Sequence, residues 1–213
     1  MLPGLATNPA DKVTNSGDPI IPPHREGDIQ MRHVLTVLAI AWAMIPQTVQ
    51  ADVDSGPAVG TAVSALKVFV VTGDQAGKEV DYAADRGAKP TIYVFIPHEK
   101  FDRPIARFLR ELEKSVKDAG NDATMVTVFL SDDEAKTKEH LPRIQMSLQF
   151  TANPMAVFPS AKMSPEGWAV DTDAHLTAIV VQSGKVAAKF GYRSVNETAV
   201  PEVAAALKKA LGK

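Results

Sequence analysis

Residues 91–116 read TIYVFIPHEKFDRPIARFLRELEKSV, and the two halves of this stretch follow different periods. Thr91 to Ile96 is continuously apolar and rich in β-branched and aromatic residues, the pattern of a strand buried on both faces. From there Phe101, Ile105, Phe108, Leu109, Leu112 and Val116 recur at helical spacing. Asp102 is placed to cap that helix, Pro104 is tolerated in its first turn, and Gly120 ends it. A buried strand that runs straight into an amphipathic helix is the opening half of a β-α-β unit.

The second half follows at Thr124 to Leu130 (TMVTVFL), another strand of the buried type. Strand-helix-strand continuity implies parallel pairing through a right-handed crossover. Ser131-Asp132-Asp133-Glu134 then has the spacing of a capping box and predicts a second helix, which Pro142 should break or kink, with Ile144 and Leu148 continuing the apolar stripe. Residues 153–163 carry Pro154 and Pro159 around Ala156-Val157-Phe158 and read as an inserted strand or a loop. Leu176 to Val181 and Lys185 to Phe190 flank Ser183-Gly184 as a hairpin. Pro201 to Leu211 places Val203, Ala204, Leu207 and Leu211 on one helical face. Upstream, Ala65 to Val71 and Val80 to Tyr82 predict an N-terminal hairpin. The order predicts an α/β fold, a three-layer α/β/α sandwich whose mixed central sheet has helices on both faces.

With 45% hydrophobic and 23% charged residues, the 213-residue chain has the apolar surface to fold. Its 23 Lys and Arg against 25 Asp and Glu leave a net charge of −2, so no basic footprint for nucleic acid is present. The chain contains no cysteine. That excludes disulfides, thiol nucleophiles, Cys-ligated zinc and iron–sulfur clusters, and leaves His, Asp and Glu as metal ligands.

Residues 31–51, MRHVLTVLAIAWAMIPQTVQA, place a basic residue ahead of an apolar run from Val34 to Ile45, followed by Pro46 and the small Ala51. This is the pattern of a secretory signal peptide cleaved near Ala51, giving a periplasmic or secreted protein. The run is too short for a permanent membrane anchor, since a spanning helix needs about 20 apolar residues. Residues 1–30 carry Pro3, Pro9, Pro19, Pro22 and Pro23 without apolar periodicity, and read as a disordered upstream extension ahead of the true initiator Met31. Residues 52–64 read as a linker and 65–213 as one domain.

Four pieces of that domain, GDQAGKEV from Gly73, TIYVFI, FDRPIARFLRELEKSV and TAIVVQSGKVAAKFGY ending at Tyr192, together resemble the thioredoxin-like fold in its exported redoxin and peroxiredoxin-like branch. In that family a redox cysteine, often as CxxC, sits where the buried strand enters the helix, because the amides and dipole there lower a thiol's pKa. Here the junction reads Ile96-Pro97-His98-Glu99-Lys100-Phe101-Asp102-Arg103. The position that the family gives to a cis proline holds Leu176. The resemblance therefore implies a scaffold stripped of its thiol chemistry, acting as a binding or interaction module without a cofactor. The partner would be a protein or small molecule of the exported compartment.

If the fold holds, the junction at residues 97–103 and the loop Asp173-Ala174-His175 share one rim, where His98, Asp102, Arg103 and His175 are candidates to bind an anion or a metal. The same rim could serve a non-thiol enzyme through His98 and His175. No H-E-x-x-H motif, phosphate loop or nucleophile elbow is present. Asp132-Asp133-Glu134 reads as capping rather than a cation site, His140 as a surface residue, and Glu113 with Lys117 as an ion pair on an exposed helical face.

Overall fold

The computed structural model describes residues 51–160 and 164–213. The signal-peptide and extension readings therefore lie outside the described residues. Seven strands form one sheet: β1 (Lys67–Val70), β2 (Glu79–Asp81), β3 (Thr91–Pro97), β4 (Thr124–Leu130), β5 (Met155–Phe158), β6 (Leu176–Gln182) and β7 (Lys185–Tyr192). Among the described residues, four α-helices accompany them: α1 (Tyr82–Arg86), α2 (Arg103–Ala119), α3 (Glu134–Leu148) and α4 (Val200–Ala210). The spatial order is β2-β1-β5-β4-β3-β6-β7. β3 pairs parallel with β4 and antiparallel with β6, so the sheet is mixed and β3 lies between two neighbours as its apolar sequence demands.

Side-chain alternation divides the core into two. Ile92, Val94 and Ile96 point to one face of β3, together with Met125, Phe129, Met155 and Val157 of the neighbouring strands. Against this face lie Ile105, Phe108, Leu109, Leu112 and Val116 of α2, Leu141 and Ile144 of α3, and Val203 and Leu207 of α4. Burying one such side chain stabilises the fold by about 1.5–3 kcal/mol. Tyr93, Phe95, Val126, Val128 and Ile179 point to the other face, where Tyr82 of α1 and Trp168 of the β5–β6 connection cover them. Trp168 is fully buried, with its ring 4.9 Å from that of Tyr93, and its indole N–H donates to the Ala65 carbonyl.

The three layers are thus unequal: all three long helices among the described residues share one face. The cause is β5, the segment left open as strand or loop, which pairs parallel with β4 on the side away from β3. Successive crossovers from β3 to β4 and from β4 to β5 proceed the same way across the sheet, so two right-handed connections put α2 and α3 on the same side.

Other elements differ from their sequence reading in instructive ways. α3 is capped by Asp133, whose carboxylate accepts from the Lys136 amide, rather than by Ser131. Ser131 is still buried at the end of β4, and its hydroxyl accepts from the Asp133 amide. Pro142 lies inside a helix that continues to Leu148, with buried Leu141 and Ile144 holding the segment on the sheet. Residues 52–64 are tied to the sheet: Val53 bridges Gly191, Ala62 bridges Lys185, and the buried hydroxyls of Ser55 and Thr177 lie 2.6 Å apart. Glu113 is buried and not on an exposed face. The Ser183-Gly184 turn is as read: both residues have positive φ (54° and 70°), the geometry of a two-residue hairpin whose twist matches its strands.

Candidate functional site

Parallel pairing aligns the C-terminal ends of β3 and β4, with Pro97 opposite Leu130, so the segments that leave these strands start side by side. After β3 the chain makes one 3-10 turn, His98–Lys100, before Asp102 caps α2 by accepting from the Ile105 amide at 2.9 Å. After β4 it enters α3. His98 and His140 meet across this seam, with Nε2 of His98 3.2 Å from Nδ1 of His140 and the rings nearly perpendicular at 89°. Phe129 supports His98 edge-on at 6.2 Å, and Phe101 packs on Phe129 at 5.5 Å.

Partial burial holds the His98 pKa below its ordinary value, with His140 and Lys136 pushing the same way and Asp133 opposing them. The ring is therefore neutral at neutral pH, and its nitrogens are available as donor and acceptor. A cavity of about 180 Å³ opens beside it, lined by His98, Glu99, Leu130, Asp132, Asp133 and Lys136. A second, of about 270 Å³, opens beside His140 and includes Phe101, Arg143 and Leu148.

The four residues singled out in the sequence occupy one end of the sheet without converging. Phe95 lies across from Thr177, so His175, just ahead of β6, stands at the same end as His98. His98 packs on Phe129 of the helix-covered face, whereas His175 lies in a bend just ahead of β6. Half-buried His175 is fixed through its backbone, its amide donating to the Tyr192 carbonyl at 2.7 Å. Asp102 is engaged in capping, and Arg103 is exposed without an ion pair among the described residues.

His140 is exposed, in keeping with its surface reading, and what sequence reasoning missed is that its ring faces His98. Its one signal was its i+4 spacing from Lys136, which puts both on a single helical flank. That flank faces His98 only because α3 starts beside the end of β3. Among the described residues no group of three or more His, Asp or Glu is placed to hold a metal. Nor is any helix there long and apolar enough to cross a membrane.

No protein-family model matches the sequence, and no curated protein matches it. Solved structures do resemble the fold. A DsbF homologue from Corynebacterium diphtheriae aligns with a TM-score of 0.55 at 17% identity, over 76% of this chain and 99% of that one. BsSco, a member of the Sco family of cytochrome c oxidase assembly proteins, aligns with a TM-score of 0.52 at 16% identity, over 76% and 98%. Peroxidoxin BcpB from Mycobacterium tuberculosis aligns with a TM-score of 0.51 at 14% identity, over 71% and 96%. At these identities the likeness establishes architecture and not activity. The fold is therefore a thioredoxin-like α/β fold. This example of it has no cysteine anywhere in its 213 residues.

Proposed function

We propose that the chain is an exported, thiol-free binding module of thioredoxin-like fold, with its ligand-contacting surface at the rim where β3 and β4 end. The observation that carries this reading is the aromatic-backed pair of His98 and His140, which stands at the strand-to-helix junction where redoxins place their cysteines. Without a thiol, the junction offers shape, a cavity beside each histidine and the neutral imidazole of His98. The sequence of residues 31–51 supports export, with cleavage near Ala51. Asp102, Arg103 and His175 flank the same end of the sheet and would contribute at its margins.

A photoreactive amino acid at exposed Glu99 on the rim, compared with one at exposed Lys209 in α4, tests the reading. Crosslinking in the exported fraction, with chelator present, should give a discrete adduct from position 99 alone that disappears when His98 and His140 are both alanine. Adducts unaffected by these changes, or formed only from position 209, would overturn it. A second reading, acid–base catalysis by His98, is favoured by the neutral state in which its surroundings hold it. It requires that a substrate analogue bound at the rim be turned over, and that His98→Gln abolish turnover while binding persists.

A further inference from the structure

Two imidazole nitrogens 3.2 Å apart are placed as a hydrogen-bonded pair is placed, but the same separation suits a second task. Zinc–imidazole bonds are about 2.0–2.1 Å long, and two of them ending on atoms this far apart subtend roughly 100°, close to tetrahedral. The rings come from different elements, the turn after β3 and the middle of α3, and Phe129 holds the His98 ring in place. Both atoms can therefore reach one ion with little rearrangement of the backbone.

We propose that His98 Nε2 and His140 Nδ1 together ligate a single divalent transition ion of the zinc class, with the remaining coordination positions open to water or to an incoming ligand. The inference rests on the rim being the binding surface and names what that surface holds. A cavity beside each histidine gives the open positions room, with Asp133 and Lys136 lining the one at His98 and Arg143 the one at His140. Lys136 opposes a cation at this place and Asp133 favours one, and both already act on His98.

Imidazole ligation selects zinc, copper and nickel over magnesium and calcium, which prefer oxygen. In the metal-free pair one of the two facing nitrogens carries a proton and donates it to the other. On binding, that proton moves to the second nitrogen of its own ring, which frees the facing lone pair for the ion.

Isothermal titration of Zn²⁺ into the full chain, freed of metal beforehand, tests the site, with Mg²⁺ as the control ion. One Zn²⁺ per chain should bind, and His98→Gln or His140→Gln should each weaken binding roughly tenfold or more. His175→Gln should leave it unchanged. Circular dichroism of each variant separates lost ligation from lost folding. Absence of binding in the unchanged chain, or undiminished binding in a folded double variant, would overturn the proposal. The crosslinking experiment runs in chelator and fails only if the rim is not the contact surface, so the two failures are distinguishable.

Discussion

The carboxylate of Glu113 on α2 accepts from the backbone amide of Ala152 at 2.7 Å, and the same oxygen accepts from the Thr151 amide at 2.9 Å. This buried acceptor ties the middle of the central helix to the chain entering β5. Lys117 lies 3.5 Å from the same oxygen, a nearby opposite charge.

Glu113→Ala should therefore destabilise the fold by about 2–3 kcal/mol, because two amides at a buried site lose a charged acceptor. Glu113→Gln, which keeps an oxygen in place, should cost less. Urea unfolding followed by circular dichroism measures both.

Stability should fall as pH drops below about 6.5, the ordinary histidine value. His98 has a lower pKa folded than unfolded, so in that interval the unfolded chain binds more protons and the native state loses ground. Unfolding midpoints at pH 7.5 and 5.5 should differ for the unchanged chain, and by less for His98→Gln.

Gly191 sits where an added Cβ would lie 2.5 Å from the Val53 carbonyl oxygen and 2.8 Å from the Ser55 Cβ. Gly191→Ala should cost about 1–3 kcal/mol, as overpacking does, or else release the segment around Val53 from β7. Limited proteolysis read by mass spectrometry should then find new cleavage between residues 52 and 57.

Trp168 seals the face that lacks long helices, and Trp168→Ala should cost about 3–5 kcal/mol. Trp168→Phe should recover part of this but lose the indole bond to Ala65. Thermal unfolding orders the three proteins.

The parts of the fold legible in the sequence are those whose pattern is local. β3 and α2 announce themselves through a change of period at residues 97–101, and the β6–β7 hairpin through Ser183-Gly184. β5 does not, because four apolar residues cannot say which neighbour they pair with, and its place between β4 and β1 decides where α3 lies. Residues 52–64 carry no period either, being held largely by backbone bonds to β7 that composition does not display. At the rim, His98 stood out through its position after a buried strand. Its partnership with His140, 42 residues away, depends on the parallel alignment of β3 and β4 and on where α3 begins.

The most direct measurement of whether this imidazole pair is the working centre of a thiol-free scaffold is nitrogen-resolved NMR of the five histidine rings during Zn²⁺ addition. The account predicts that His98 Nε2 and His140 Nδ1 move together to metal-bound positions while the other three rings keep their shifts. Rings of His98 and His140 that stay unperturbed, or that respond no more than the others, would contradict it.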